Sequence, residues 1–333
     1  MSTLDFSTTI GNTWFPAPTF TASGCASSGL ELAQFFPLRE MGGVVTKSVM
    51  SKARNGRPTP RMAETPSGML NSIGLQGPGI DAFIAKDIPY LVEQKARIIV
   101  SIAGETVEEY STLARKLRSV SGLSAIEVNI SCPNVENRGL VFACDPDASR
   151  RVIDGVRRTI GGELPIIAKL SPDVTDLVSI ARGVVDSGAD GLALINTVLG
   201  MVINVDTMRP HLGGKTGGLS GPAIRPIAVR AVYQVHAALP NIPILGMGGV
   251  ASGKDALEMI LAGASGVSIG TASFGNPTAI MKIQNELKQL LIDRGFTSLK
   301  QAVGYAHRPE TEQSNVYGSD CSRRRYPRIS NSY

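Results

Sequence analysis

The chain has 333 residues, of which 43% are hydrophobic and 18% charged, a composition that supports a large folded core and excludes disorder over most of its length. The formal net charge is +5, but the last 26 residues hold five Arg against two Glu and one Asp, which leaves the body only mildly basic. A charge balance this small does not indicate a nucleic-acid partner.

No stretch approaches the roughly eighteen apolar residues that a membrane helix needs, and the N-terminus lacks the basic and apolar regions of a signal peptide. The cysteines Cys25, Cys132, Cys144 and Cys321 are far apart and show no metal-ligand spacing, so neither a disulfide framework nor a metal site is predicted. The sequence therefore predicts an unexported protein of the cytoplasm.

The first third of the chain contains two predicted strands. The segments 18–24 and 42–50 are short apolar runs of the kind that form strands, and 27–41 between them is predicted to be a helix. A long loop rich in Gly and Pro follows from residue 51, and a helix is expected near 81–95. These elements give the first two units of a strand-and-helix repeat.

From residue 97 onward, apolar strand-like runs alternate with amphipathic helical stretches. The six strands are predicted within 97–104, 124–131, 164–172, 190–197, 242–250 and 266–274, and the helices within 106–120, 147–160, 176–188, 221–239, 252–263 and 276–295. Thr106 and Glu109 have the spacing of a capping box, while Gly188 and Gly263 stand where a left-handed residue ends a helix.

Eight βα units in about 300 residues favour an α/β fold of the (β/α)8 TIM-barrel type over an open sheet. We predict one barrel domain over 1–307 and a disordered basic tail over 308–333. Because the active site of such a barrel lies at the carboxyl ends of the strands, the residues that follow each apolar run are the candidates for chemistry.

Glycine clusters follow the last two predicted strands, at Gly246–Gly249 and at Gly270, and a third stands at Gly217–Gly221 before the seventh helix. Barrels commonly bind a phosphate group there through backbone N–H groups. Glycine at an ordinary tight turn is the alternative for any one cluster. Their occurrence on adjacent strands favours a phosphate site.

Lysine follows two of the strands, at Lys47 and Lys169. A cation at the end of a buried strand is costly to desolvate unless it meets an anion. Either lysine alone is also compatible with a side chain that extends to a surface carboxylate. Together with the phosphate-type loops, the pair indicates an anionic ligand.

Cys132 follows the fourth strand, immediately before Pro133 and between the amides Asn129 and Asn134. A thiol in this place can act as a nucleophile or as a general base. The other three cysteines are interpreted as small buried hydrophobic residues, the commoner role of a lone cysteine. A Cys–His dyad is not indicated, because the three histidines lie elsewhere and are interpreted as structural: His211, His236 and His307.

At these residues the sequence resembles the dihydroorotate dehydrogenases from about residue 4 to 305. The motifs that carry the resemblance are TASG, GGVVTKSV, TPRMAETPSGMLNSIGLQGPG, EVNISCPNV, AKLSPDVTD, LINTVLGM, GGLSGPAI, GMGGV and GTASF, in this order. A cysteine at position 132 resembles class 1, and the stretch around 200–224 resembles class 1B. That class implies a partner subunit with FAD and a [2Fe–2S] cluster that passes electrons to NAD+, in a heterotetramer built on a homodimer.

The resemblance also implies a role for individual residues. Cys132 would take a proton from carbon 5 of dihydroorotate while hydride leaves carbon 6 for the flavin of FMN, giving orotate. The substrate-binding residues would be Lys47, Asn71, Ser72, Ile73, Gly74, Leu75, Asn129, Asn196 and Thr197. The FMN-binding residues would be Ser23, Lys47, Ser48, Asn129, Lys169, Ile195, Gly221, Gly248, Gly249, Gly270 and Thr271.

The sequence departs from the family pattern in two places: Ser101 stands where many relatives have Asn, and Ala143-Cys144 replaces a usual Gly-Thr. Three other functions stay open at this point. They are a class 1A-like homodimer that reduces fumarate, a phosphate-binding barrel lyase or isomerase without redox chemistry, and a nucleic-acid-binding role of the Arg-rich tail.

Overall fold

The computed structural model describes residues 4–131 and 145–309. In chain order its strands are β1 Thr8–Ile10, β2 Thr13–Phe15, β3 Thr19–Thr21, β4 Val44–Val45, β5 Met62–Thr65, β6 Gly68–Asn71, β7 Ile98–Ile102, β8 Leu123–Asn129, β9 Ile166–Lys169, β10 Gly191–Leu194, β11 Val198–Gly200, β12 Ile203–Asn204, β13 Arg209–Pro210, β14 Gly217–Ser220, β15 Ile244–Met247 and β16 Gly266–Ile269. Its helices are α1 Ile80–Glu93, α2 Val107–Arg118, α3 Pro146–Ile160, α4 Leu177–Asp186, α5 Arg225–Ala238, α6 Gly253–Ala262, α7 Ala272–Gly275, α8 Ala279–Asp293 and α9 Leu299–Ala302.

The central sheet has eight parallel strands in the order β3-β16-β15-β10-β9-β8-β7-β4. A bridge between Phe20 and Gly43 joins the two end strands, and the Gly42 amide donates to the Thr19 carbonyl at 2.8 Å. The sheet therefore closes on itself, and the predicted TIM barrel is confirmed. Seven of the eight predicted strand segments contain one of these strands, and the eighth, 124–131, covers β8 except for its first residue, Leu123.

The interior of the barrel is filled by inward-facing apolar side chains, and the hairpin β1–β2 adds Ile10 and Phe15 to them. The ring of Phe15 meets that of Phe20 edge to face at 5.2 Å. The Thr8 hydroxyl donates to the carbonyl of Ser265, directly before β16. The Thr13 hydroxyl donates to the carbonyl of Ser124, the second residue of β8. The hairpin therefore plugs the amino-terminal end of the barrel.

The predicted helix over 27–41 is wrong. The segment instead contains two 3-10 turns, Leu32–Gln34 and Leu38–Glu40. Pro37 accounts for the difference, because proline supplies no amide hydrogen and disfavours the helical conformation of the preceding Phe36. Leu32 and Leu38 are still buried, so the apolar residues that suggested a helix are used in the core.

The other predicted helices are present. α1 spans the region near 81–95, helices lie within five of the six later segments, and α3 begins one residue before the sixth, 147–160. Thr106 caps α2, where its hydroxyl accepts from the Glu109 amide at 3.1 Å, although the Glu109 carboxylate accepts from the amide of Glu105 rather than from that of Thr106. Gly188 and Gly263 have φ of 100° and 123°, as helix-ending glycines require. None of the helices in the described parts of the chain is long and apolar enough to cross a bilayer.

The segment after residue 51 is more ordered than the predicted loop. The strands β5 and β6 form a hairpin that joins β14 and β11 in a four-stranded antiparallel sheet of order β11-β14-β6-β5. The typical turn residues Pro66, Ser67 and Gly68 were the available hairpin signal. This second sheet contributes residues of β5, β6 and β14 to the cavity at the carboxyl end of the barrel.

Candidate active site

A cavity of about 710 Å³ opens where the barrel strands end. Apart from Ser72, it is lined by every residue predicted to bind substrate or cofactor: Ser23, Lys47, Ser48, Asn71, Ile73, Gly74, Leu75, Asn129, Lys169, Ile195, Asn196, Thr197, Gly221, Gly248, Gly249, Gly270 and Thr271. Parallel strands bring residues far apart in the sequence to one end of the barrel, which is why these strand-end residues converge.

One predicted site residue is not among the lining residues, and a second lies outside the described part of the chain. Ser72 is fully buried, and its hydroxyl lies 3.5 Å from the guanidinium of Arg57, outside the cavity wall. Cys132 lies outside the described residues, as do Ala143 and Cys144. The described chain reaches Ser131, directly before Cys132, and Ser131 packs at the cavity floor with the amides of Asn129 and Asn196.

Three residues form a hydrogen-bonded group at that point of the floor. The Ser131 hydroxyl donates to Asn129 Oδ1 at 2.7 Å and accepts from Asn196 Nδ2 at the same distance. Asn196 Oδ1 in turn accepts from the Thr197 amide at 2.9 Å. These bonds fix which end of each amide is oxygen and which is nitrogen. The two asparagines are therefore pre-oriented for a ligand that offers both donors and acceptors.

The two lysines differ in their surroundings. Lys169 is 4% exposed, and its Nζ lies 3.9 Å from Oε1 of the fully buried Glu127, so it does not extend to the surface. Lys47 is half-buried, and its Nζ is 3.7 Å from where a Cβ on Gly24 would stand. Both cations therefore face the cavity from neighbouring parts of its wall, as an anionic ligand would require.

The glycine clusters form one side of the cavity. Gly221, Gly248 and Gly249 have φ of 93°, 121° and 76°, a conformation that other residues rarely adopt. A Cβ on Gly249 would stand 2.7 Å from Cβ of Arg225 and 2.8 Å from the Gly221 carbonyl oxygen. The cradle is therefore built for bare backbone. Arg225 is bound to Asp255 and Glu258 at 2.6 and 3.0 Å, so the cradle itself consists of backbone and hydroxyl groups.

A buried hydroxyl at the same site lacks a partner. Ser268 on β16 is 2% exposed and lines the cavity, and its Oγ has no hydrogen-bond partner among the described residues. Such a group is costly to bury unless a ligand or water satisfies it. The cradle, the buried Lys169 and this hydroxyl together fit a ligand with a phosphate and a polar ring, as FMN has.

Comparison with known proteins identifies the family. The family model described as dihydroorotate dehydrogenase matches residues 5–291. The chain belongs to the dihydroorotate dehydrogenase family. A barrel lyase or isomerase without redox chemistry is therefore excluded as its family, and the resemblance found in the sequence motifs is confirmed.

Several relatives of the dehydrogenase cover nearly its whole length. A protein of Desulforudis audaxviator is 48% identical over 291 residues, which are 87% of this chain and 94% of the relative. One of Citrifermentans bemidjiense is 46% identical over 300 residues, 90% of this chain and 97% of the relative. One of Anoxybacillus flavithermus is 45% identical over 287 residues, 86% and 91% of the two chains. All three are named dihydroorotate dehydrogenase B (NAD(+)), catalytic subunit.

The dehydrogenase cavity also contains residues that the sequence did not reveal. Cys25, interpreted as a small buried hydrophobe, lines it beside Gly270. Burial raises the pKa of the Cys25 thiol, while the charges of Lys169 and Lys47 oppose that rise. Glu64, Thr65 and other residues of the β5–β6 hairpin were missed because the hairpin was predicted to be a loop. The turn residues Pro66, Ser67 and Gly68 could have indicated the hairpin.

Proposed function

We propose that this chain is the catalytic subunit of an NAD-linked, class 1B dihydroorotate dehydrogenase that binds one FMN in the cavity and oxidises (S)-dihydroorotate to orotate for pyrimidine synthesis. One observation carries the proposal. A single cavity combines a bare-backbone cradle, a buried cation and a set of oriented amides, in a chain of this family. The names of the relatives support NAD+ as the final acceptor.

The substrate side of the cavity suits a small ring that carries a carboxylate. Lys47 supplies a cation for that carboxylate, and Asn71, Asn129 and Asn196 supply amides for the ring N–H and C=O groups. Ser131 holds two of these amides in fixed orientations. The loop 73–75 and Thr197 complete the wall on this side. Ser72, which does not line the cavity, supports the loop from behind.

The cofactor side suits FMN. The cradle of Gly221, Gly248 and Gly249, with Gly270 and Thr271, would hold the phosphate, and Ser23, Ser48, Lys169 and Ile195 would hold the ring. When bound, FMN supplies the acceptor for the hydride that leaves carbon 6 of the substrate. Lys169 would offset the negative charge that the ring gains on reduction.

The proton on carbon 5 needs a base on the substrate side. We assign it to Cys132, which directly follows Ser131 at the end of β8. The thiolate takes that proton, the carbon–hydrogen electron pair becomes the new double bond between carbons 5 and 6, and the hydride leaves carbon 6. Asn129 and Asn196, oriented by Ser131, would hold the ring in place during this step.

We further propose a partner subunit with FAD and a [2Fe–2S] cluster, in a heterotetramer around a homodimer of this chain. The words "catalytic subunit" in the relatives' names support a separate electron-transfer subunit. The alternative is a class 1A-like homodimer that reduces fumarate, and the names of the relatives do not favour it.

The test starts from the purified chain loaded with FMN. Released cofactor is identified by mass, and dihydroorotate is added without oxygen while the flavin absorbance is followed. We expect about one FMN per chain and rapid bleaching. Bound FAD instead of FMN, or FMN that dihydroorotate does not reduce, would refute the proposed function. Turnover of the isolated chain with fumarate would assign the chain to class 1A. Turnover with NAD+ that requires an added iron–sulfur flavoprotein would support class 1B.

A further inference from the structure

A buried carboxylate beneath the cavity has no place in the function described so far. Glu127 lies on β8 two residues before Asn129, so both side chains point into the barrel. Glu127 is fully buried and does not line the cavity. Two residues earlier, the inward-facing positions of β8 and of its neighbours β7 and β9 carry the apolar Ala125, Ile99 and Ile167. A carboxylate is costly in such surroundings unless it is paired, and an apolar side chain would fill the space more cheaply.

The described partners of Glu127 are Ser101 and Lys169, and Lys169 lines the cavity. The Ser101 hydroxyl donates to Oε1 at 2.8 Å, and Lys169 Nζ lies 3.9 Å from the same oxygen. Oε2 has no hydrogen-bond partner among the described residues. The pairing is therefore incomplete. A structural ion pair needs good geometry and full hydrogen bonding to stabilise a fold, and this pair has neither.

Ser101 connects this carboxylate to the cavity wall. Ser23 Oγ lies 3.2 Å and Ser48 Oγ 2.9 Å from Ser101 Oγ, and Asn129 Nδ2 donates to Ser48 Oγ at 3.0 Å. A carboxylate accepts only, so the single Ser101 proton is committed to Glu127. Ser101 then accepts from Ser23, and Ser48 donates either to Ser101 or to Ser23, whose Oγ lies 3.2 Å from that of Ser48. In both arrangements the protons of Ser23 and Ser48 stay within this group. These two hydroxyls therefore turn lone pairs, not protons, to the cavity.

We propose that Glu127 is a positioning residue that sets the electrostatics of the FMN side of the cavity. Its negative charge partly offsets that of Lys169, and through Ser101 it makes Ser23 and Ser48 hydrogen-bond acceptors. The inference rests on the proposed function, because it concerns the reduction of FMN in this cavity. Removing the charge leaves Lys169 uncompensated. The reduced, more negative flavin is then bound more tightly relative to the oxidised one.

The experiment measures the midpoint potential of FMN bound to the parent chain and to Glu127→Gln, which keeps the shape and removes the charge. We expect the affinity for reduced relative to oxidised FMN to rise about tenfold, which is about 30 mV upward for a two-electron couple. Glu163→Gln is the matched control. Glu163 lies before β9 at the other end of the barrel and forms an exposed salt bridge with Arg118. The FMN midpoint potential of Glu163→Gln should therefore equal that of the parent.

A second variant tests the opposing charge. Lys169→Gln removes the cation that Glu127 offsets, so the affinity for reduced relative to oxidised FMN should fall, opposite to the change in Glu127→Gln. A change of the same sign in both variants would overturn the proposal, and so would an unchanged or lowered potential in folded, FMN-loaded Glu127→Gln.

If Glu127→Gln does not fold, Glu127→Asp carries the test. It keeps the charge but withdraws it by one methylene from Lys169, so the affinity ratio should rise by about threefold. An unchanged ratio in this variant would also overturn the inference. Failure of the proposed function has a different signature: the parent chain itself would not bind FMN, or dihydroorotate would not reduce it. A parent that does both, with unaltered potentials in the variants, refutes the role of Glu127 alone.

Discussion

The two ends of the barrel are built from the same strands but from different side chains. At the amino-terminal end, Phe15 and Ile10 of the first hairpin meet Phe20 in an apolar plug. At the carboxyl end, the inward positions of β7, β8 and β9 carry Ser101, Glu127, Asn129 and Lys169. The plug can contribute to stability by burial alone. The carboxyl end, called the mouth below, holds charges and amides that an apolar core would not need. The comparison predicts that substitutions at the two ends separate stability from function.

The largest effect is expected at the mouth, from loss of the proposed base. Cys132→Ala should keep the fold and its FMN but slow flavin reduction by dihydroorotate about 10²–10⁴-fold, the usual contribution of a positioned base. Stopped-flow bleaching measures this half-reaction without any electron acceptor. Cys132→Ser should recover part of the rate at high pH, because a hydroxyl ionises less readily than a thiol. Bleaching of the Ala variant at the parental rate would mean that another strand-end residue is the base.

The plug should show the opposite behaviour. Phe15 is fully buried against Phe20, so Phe15→Ala should lower the free energy of unfolding by about 3–5 kcal/mol through lost burial and the cavity that remains. Chemical denaturation measures this, and orotate affinity of the folded variant should change by less than about threefold. Phe35→Ala is the control, because Phe35 is 55% exposed and its truncation should change stability little. A plug variant that loses orotate affinity while it stays folded would break the separation between the two ends.

Lys47 tests the mouth from the substrate side. Lys47→Ala should weaken orotate binding about 10–100-fold, because the carboxylate loses its cation in a partly desolvated site. Titration of the flavin absorbance with orotate gives the dissociation constant, and FMN content should persist. Lys52→Ala is matched to it, since Lys52 is an exposed lysine five residues further along that does not line the cavity. Equal orotate affinity in Lys47→Ala and the parent would refute the pairing with the carboxylate.

The same two ends differ in how far the sequence predicted them. The strand-end residues converge in the structure because strand periodicity and barrel closure place them there, and both can be read from the chain. The four-stranded antiparallel sheet at the mouth was not predicted. Its β5–β6 hairpin is short, and its pairing with β14 joins segments about 150 residues apart. Glu127 was overlooked within an apolar run, although its spacing of two from Asn129 places both on one face. The failed helix over 27–41 shows the converse, since one proline outweighs helical spacing there.

The smallest effect concerns a titratable group on the helical layer near the plugged end. His236, in the last turn of α5, packs so closely on Gly263 and Gly304 that a Cβ on either would stand less than 2.5 Å from its ring. Its Nδ1 is buried without a partner among the described residues, and the ring of His307 lies 5.0 Å away. Burial lowers the pKa of His236, and the nearby His307 adds to that lowering.

Because the folded protein disfavours the charged imidazole, the unfolded chain binds more protons between the lowered pKa and the ordinary value of about 6.5. The stability linked to His236 is therefore fully present above about pH 6.5 and is lost as the pH falls from that value toward the lowered pKa. The midpoint of thermal unfolding should drop by less than about 3 °C over this window, and His236→Gln should remove that part of the drop. Flavin reduction measured at the same pH values should change equally in His236→Gln and the parent, because the residue lies outside the cavity. If His236→Gln retains the full drop in the unfolding midpoint, other groups cause it and His236 does not contribute to the pH dependence of stability.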